Sequence, residues 1–97
     1  MRIISHRTVV EYYKKHADAK DVLELWYHTV KAAKWKNIDD IKQHFNSVDS
    51  IGNKRYVFNI KGSKYRIIAK IIFIQQIVYI RFIGTHAEYD KIDCSTI

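Results

Sequence analysis

The first half of the chain has a helical pattern of apolar positions. Apolar side chains recur at helical spacing through RTVVEYYKKHADAKDVLELWYHTVKAAKW, which predicts two amphipathic antiparallel helices separated by HADAK, with Asp18 as an N-cap. The predicted inward face consists of Val22, Leu25, Trp26, Thr29, Val30 and Ala33. A short third helix is predicted around Asp39–Phe45, capped by Asn37 or Asp39, and a short first strand at Arg2–Ser5.

After Gly52 the pattern changes to that of β-strands. KRYVFNI, YRIIAKIIFI and IVYIRFI are rich in β-branched and aromatic residues and predict a three-stranded meander. Gly62-Ser63 predicts a two-residue type II′ turn, and Gln75-Gln76 is a weaker turn signal. The order of elements predicts one α+β domain over residues 1–97, a small antiparallel β-sheet with two to three N-terminal helices packed on one face.

Two-residue loops would fix the register of this sheet. Ile60 would lie opposite Tyr65, and Ile74 opposite Ile77. Alternation then gives one entirely apolar face, which we expect to meet the helices. It comprises Tyr56, Phe58, Ile60, Tyr65, Ile67, Ala69, Ile71, Phe73, Val78, Ile80 and Phe82.

The opposite face of the predicted sheet carries charge. Arg55 would lie opposite Lys70, and Lys70 opposite Arg81, which makes a row of positive charges with Arg66 nearby. Like charges directly opposite one another cost about 0.2–1 kcal/mol per pair, so the row favours a phosphate-binding surface. The alternative is that the basic side chains splay into solvent while their stems cover apolar neighbours.

Composition supports a polyanionic partner. The chain has 17 basic and 10 acidic residues and a formal charge of +7, which favours nucleic acid first and an acidic protein second. The only cysteine, Cys94, excludes an internal disulfide bond and fits a cytosolic protein. No apolar run is long enough to predict a membrane-spanning helix.

The segment THAEYD follows the last predicted strand, at one end of the charged face. His86 can transfer a proton near neutral pH. Glu88 is interpreted as a helix cap rather than as a group that orients His86, and Asp90 as a partner for a nearby lysine. Tyr89 either binds the substrate or closes the core. The other histidines, His6, His16, His28 and His44, have no recognisable partners.

These groups suit RNA cleavage by the RNA's own 2′-hydroxyl. That reaction needs a base, cations around the crowded phosphate and an acid for the departing 5′-oxygen. The charged face supplies the cations and His86 supplies one proton transfer. The sequence has no clear carboxylate cluster for a two-metal nuclease site, so we expect no metal and no other cofactor.

The stretches RYVFNIKGSKYRIIAKIIF and YIRFIGTHAEYD together resemble the HigB-type toxins of bacterial toxin–antitoxin modules, a branch of the RelE-like superfamily. The resemblance covers nearly the whole chain and is strongest over residues 54–90. It implies a cytoplasmic messenger-RNA endonuclease that acts on translating ribosomes. It also implies a helix-turn-helix antitoxin of the HigA type as partner, with operator DNA bound only through that antitoxin, and no association with a membrane.

The resemblance also implies roles for individual residues. Arg66 and Arg81 would stabilise the phosphate, His86 would transfer a proton, and Tyr89 would orient the substrate. Further contacts to RNA or the ribosome would come from Lys54, Arg55, Lys64 and Lys70. Two alternatives remain: a non-catalytic RNA- or ribosome-binding module that blocks translation by occupancy, and a degenerate toxin kept for its contact with the antitoxin.

Overall fold

The structure is a computed structural model that describes residues 1–94, 96 and 97. The elements are β1 (Arg2–Ile4), α1 (His6–Lys15), a 3-10 turn (Ala17–Ala19), α2 (Lys20–Ala32), α3 (Ile38–His44), β2 (Asp49–Ser50), β3 (Arg55–Ile60), β4 (Tyr65–Ile72), β5 (Ile77–Thr85) and α4 (His86–Tyr89). Within the described residues, no helix is long and apolar enough to cross a membrane.

The strands form one mixed sheet in the order β1-β5-β4-β3-β2. β3, β4 and β5 are the predicted antiparallel meander. β1 joins β5 in parallel, while β2, which the sequence pattern does not indicate, pairs antiparallel with β3. The α+β class with N-terminal helices on one face of the sheet is therefore confirmed, with a parallel edge strand added to the antiparallel core.

The hydrophobic core lies between the helices and one face of the sheet. The rings of Trp26 in α2 and Trp35 in the α2–α3 connection contact Phe58 of β3, with centroid distances of 5.4 and 6.3 Å. Such rings bury large apolar areas and attract one another further by their geometry. The predicted inward face of α2 is confirmed at Trp26 and wrong at Leu25, which is 68% exposed, while Leu23 is fully buried.

The helix caps differ from prediction at one of two positions. Asn37 caps α3 as predicted, because its side chain accepts from the main-chain N–H of Asp40 at 3.1 Å. Asp18 is not an N-cap, since the cap position of α2 is Ala19. The Asp18 carboxylate accepts instead from side chains of the β3–β4 hairpin, namely Lys61 at 3.3 Å, Lys64 at 2.5 Å and Tyr65 at 2.6 Å.

The register between β3 and β4 is confirmed. Ile60 lies opposite Tyr65, and Arg55 lies opposite Lys70. The turn type is wrong, since Gly62 and Ser63 both have positive φ, at +60° and +72°. Positive φ at both central positions is the signature of a type I′ turn, whereas type II′ needs it only at the first. Both turns match the twist of the strands, so the register survives the change.

The register between β4 and β5 is not the predicted one at the turn. Ile72, rather than Ile74, pairs with the strand next to the turn, where it lies opposite Ile77. Residues Phe73–Gln76 form a longer turn, with a hydrogen bond from the N–H of Gln76 to the carbonyl of Phe73 at 3.1 Å. The prediction failed because Gln75-Gln76 lacks a residue that favours a tight two-residue turn.

A β-bulge changes the register again farther along. Ala69 lies opposite Ile80, but Ile68 lies opposite Phe82, so Arg81 is the extra residue on β5. A bulge switches which face the following side chains occupy. From this point to the end of β5, inward and outward positions are therefore the reverse of those predicted.

The longer turn and the bulge together correct two predictions about the sheet. Phe82 does not face the helices, because it lies opposite Ile68 on the other side of the sheet, while Ile83 packs against the core. The row of three directly opposed charges is also not formed, since Lys70 lies opposite Tyr79 rather than Arg81. The like-charge contact across β4 and β5 is thereby avoided.

Candidate nucleic-acid interface

The face of the sheet turned away from the helices is called the basic face here, after its residues Arg55, Arg66, Lys70 and Arg81. At one end of this face β5 passes directly into the short helix α4. The N–H of His86 donates to the carbonyl of Lys64 at 3.3 Å, which fixes the start of α4 beside the start of β4. The two strands therefore bring the segment THAEYD close to Arg66.

A capping box holds the first turn of α4. The Thr85 hydroxyl accepts from the N–H of Glu88 at 3.2 Å, and the Glu88 carboxylate accepts from the N–H of Thr85 at 2.8 Å. The bond from the Thr85 main chain lowers the pKa of Glu88 below its usual range. The interpretation of Glu88 as a cap is confirmed, and it also contacts α1 through the Tyr12 hydroxyl at 3.5 Å.

His86 has a carboxylate partner one helical turn away. Its Nδ1 lies 3.0 Å from Oδ2 of Asp90, and both side chains are more than half exposed. Asp90 is thus paired with a histidine, whereas a lysine was predicted. A hydrogen on Nδ1 that bonds this carboxylate leaves Nε2 as the nitrogen that can take a proton from a ligand.

Arg66 and Tyr89 are brought together between the sheet and α4. The guanidinium carbon of Arg66 lies 4.6 Å from the centroid of the Tyr89 ring, a cation–π geometry. Burial raises the pKa of Tyr89, so its hydroxyl stays protonated at neutral pH and remains a hydrogen-bond donor. That hydroxyl also lies 3.7 Å from Sγ of Cys94.

The ring of Phe82 packs closely over the glycine that lies opposite Arg66. Gly84 lies directly opposite Arg66 in the ladder. A Cβ at Gly84 would lie 2.3 Å from the ring of Phe82, which covers this position. A larger residue at position 84 would therefore displace the Phe82 ring.

Arg55 and Arg81 lie farther along the basic face and share an acceptor. Their Nε atoms donate to the main-chain oxygen of Ile97, at 2.9 and 3.4 Å. Arg66 contacts Tyr89 at the other end of this face, whereas Ile97 lies over the part that carries Arg55 and Arg81. The predicted cations therefore share one face, but they form two groups rather than one row.

One of the two remaining predicted lysines is placed less favourably for RNA. Lys64 is hydrogen-bonded to Asp18, which raises the pKa of Lys64 and offsets its charge. Lys54 is exposed in the β2–β3 turn with a φ of +63°. Their roles as RNA contacts stay predictions.

The other histidines have structural partners. His6 bonds Glu24 at 2.7 Å, His16 stacks on Tyr12 with ring centroids 4.2 Å apart, and His44 accepts from the Trp35 indole at 3.1 Å. His28 lies 3.8 Å from the same Glu24. Sequence reasoning missed the His86–Asp90 pair, although the i, i+4 spacing on a helix was a usable signal. Among the described residues no cluster of three or more His, Cys, Asp or Glu side chains is arranged to hold a metal ion.

Comparison with known families agrees with this geometry. A family model described as HigB_toxin, the RelE-like toxic component of a toxin-antitoxin system, matches residues 19–92. That span contains β3, β4, β5 and α4, which carry the basic face. The chain belongs to the HigB family of RelE-like toxins. The resemblance inferred from the sequence motifs is confirmed, and a toxic component of such a system has an antitoxin as its partner.

Curated relatives of this HigB-family toxin match it over nearly its whole length. The mRNA interferase toxin HigB of Escherichia coli (strain K12) is 32% identical over 92 residues, which cover 93% of this chain and 88% of that protein. The mRNA interferase HigB of Shigella flexneri gives the same values. The mRNA interferase HigB of Escherichia coli O6:H1 (strain CFT073) is 30% identical over 94 residues, covering 95% and 91%.

Proposed function

We propose that this HigB-family toxin is an endoribonuclease that cleaves messenger RNA on translating ribosomes and so inhibits translation. The names of its curated relatives support messenger RNA as the substrate. The observation that carries the proposal is the arrangement on α4, where Tyr89 lies against Arg66 and His86 is paired with Asp90. These groups supply positive charge, a hydrogen-bond donor and a proton-transfer group at one end of the basic face.

The proposed reaction uses the RNA's own 2′-hydroxyl as nucleophile. Its oxygen attacks the adjacent phosphorus, the bond from phosphorus to the 5′-oxygen breaks, and a cyclic 2′,3′-phosphate and a 5′-hydroxyl result. His86 carries one of the two proton transfers through Nε2. Arg66 stabilises the charge that develops on the phosphate oxygens, and the protonated Tyr89 orients the substrate. Arg81 and the other cations of the basic face hold the phosphate backbone.

The proposed partners follow from the family. The antitoxin is a HigA-like protein with a helix-turn-helix domain, and it is this domain, rather than the toxin, that contacts operator DNA. The toxin acts in the cytoplasm, where its messenger-RNA substrate is translated. Its formal charge of +7 suits an RNA-rich surface such as the ribosome.

Induced expression followed by primer extension on messenger RNA tests the proposal. Wild-type protein should create new 5′ ends at defined codons, and His86→Ala should lose about 10²–10⁴-fold in cleavage rate. His28→Ala is the matched control, because His28 is an exposed histidine on α2, across the sheet from the basic face. Arrested translation with intact messenger RNA would instead establish blocking by occupancy. Normal growth with intact message would identify an inactive toxin.

A further inference from the structure

Two guanidinium groups from different strands meet at a single oxygen atom. Arg55 of β3 and Arg81 of β5 both donate through Nε to the main-chain oxygen of Ile97, at 2.9 and 3.4 Å. β4 lies between these strands, so the two side chains reach towards each other across it. Lys70 of β4 lies directly opposite Arg55 and adds a third positive charge at the same level. The oxygen of Ile97 thus lies among cations of three neighbouring strands.

Arg55 is held in place more firmly than a surface arginine. It is 7% exposed, and its Nη1 donates to the carbonyl of Asn53 at 2.9 Å. A buried guanidinium is rare in proteins unless it is paired, because its charge has lost water. Two guanidinium groups that converge on one oxygen atom suit an acceptor that carries negative charge, as a phosphate oxygen does.

The shared acceptor lies away from the Arg66–Tyr89 contact. Arg81 is the bulged residue between the levels of Ile68 and Ala69, whereas Arg66 lies opposite Gly84. Two to three residues of strand separate these levels, roughly 7–10 Å. That distance is larger than one phosphate group, and the Arg66 guanidinium is directed towards α4.

We propose that Arg55 and Arg81, together with Lys70, form a second phosphate-binding site for the RNA phosphate next to the one that is cleaved. In the RNA-free protein the main-chain oxygen of Ile97 takes the place of a phosphate oxygen at this site. Guanidinium groups bind phosphate through a planar fork of donors, which matches two arginines that converge on one oxygen. This inference rests on the proposed function only for the identity of the cleaved phosphate.

Binding of modified oligonucleotides tests this assignment without any cleavage. The probes are 2′-O-methyl RNAs of the cleavage-site sequence, each with one neutral methylphosphonate in place of a phosphate, and binding is followed by fluorescence anisotropy. With the unmodified backbone, Arg81→Ala should weaken binding about tenfold, the loss expected for a charged hydrogen bond. The effect of Arg81→Ala should vanish when one particular phosphate is neutral, and that of Arg66→Ala should vanish at the neighbouring phosphate.

The phosphate at which each arginine substitution loses its effect decides whether the two arginines bind one phosphate or two. If both arginines lose their effect at the same phosphate, they share one site and the proposal is overturned. It is also overturned if Arg81→Ala binds every probe as the wild type does. Arg81 is exposed, so its removal should not unfold the protein, and Lys42→Ala removes an equal charge from α3 as the control. A toxin that cleaves nothing in the primer-extension experiment would refute the proposed function while leaving this binding result intact.

Discussion

In the proposed mechanism, Asp90 determines which nitrogen of His86 is presented to RNA. Because its carboxylate lies 3.0 Å from Nδ1, it favours the tautomer with hydrogen on Nδ1 and a free Nε2. Asp90→Ala should therefore slow single-turnover cleavage, by less than the about 10²–10⁴-fold expected for removing the imidazole itself. Nitrogen-15 chemical shifts of the imidazole should show loss of the Nδ1–H tautomer in the same variant.

The matched control for this prediction is Asp90→Glu, whose longer side chain can still reach a histidine four residues earlier on a helix. It should recover most of the rate and the tautomer. Both variants should have the same midpoint of urea denaturation as the wild type, because Asp90 is exposed. A wild-type rate in Asp90→Ala would show that the tautomer set by Asp90 does not limit cleavage, and an unaltered tautomer would exclude Asp90 from positioning the imidazole.

Arg66 differs from the other cations of the basic face by its ring contact. Arg66→Ala removes both the charge and the face-on contact with Tyr89, so cleavage should fall by about 10²–10³-fold. Arg66→Lys keeps the charge without the planar group and should retain part of the activity. Single-turnover rates on the messenger RNA measure both variants, with Arg7→Ala in α1 as a control. Equal rates for wild type and Arg66→Ala would contradict the proposed centre.

At the scale of elements, the sequence predicts the strands better than it predicts their final register. The β3–β4 pairing follows from a tight turn at Gly62 and clean alternation of apolar residues. The register at the end of β5 does not follow from the sequence, because Phe82 and Ile83 are both apolar and either can face the core. The bulge at Arg81 is decided by which of them packs against the helices, a long-range contact that no local pattern contains.

The sequence pattern predicts which cations share a face, but it does not predict how they group. Alternation along β3 and β4 places Arg55, Arg66 and Lys70 on one face, as the structure confirms through the register. The convergence of Arg55 and Arg81 on one oxygen depends on the bulge and on the position of Ile97. Both features depend on tertiary contacts.

α4 is too short to be stable by itself and depends on its cap. Thr85→Ala removes the hydroxyl that accepts from the N–H of Glu88, which should cost about 1 kcal/mol of stability. Because α4 carries His86 and Tyr89, cleavage should fall more than this small loss of folded protein explains. Thr85→Ser keeps the hydroxyl and serves as the control. Urea denaturation and single-turnover cleavage measure the two effects, and a loss of activity no larger than the loss of folded protein would refute the prediction.

At the scale of the whole molecule, Asp18 joins the helical layer to the β3–β4 hairpin. Its carboxylate accepts from the Tyr65 hydroxyl at 2.6 Å and from Lys64 at 2.5 Å. The bond from Lys64 is the main cause that lowers the pKa of Asp18 well below its usual range. Tyr65 is also part of the core, so this polar contact connects the turn of the sheet to the packing beneath it.

The lowered pKa of Asp18 predicts the direction of a pH effect. A carboxyl group that is more acidic in the folded state stabilises the fold above its unfolded-state pKa, near 4, and this contribution is lost as the pH falls below that value. Wild-type protein should therefore lose urea resistance below about pH 4 more steeply than Asp18→Asn. At neutral pH the Asn variant should be the less stable of the two, because a neutral amide binds Lys64 more weakly. Asp49→Asn, at an exposed position of β2, is the matched control, and parallel pH curves for wild type and Asp18→Asn would show that Asp18 makes no such contribution.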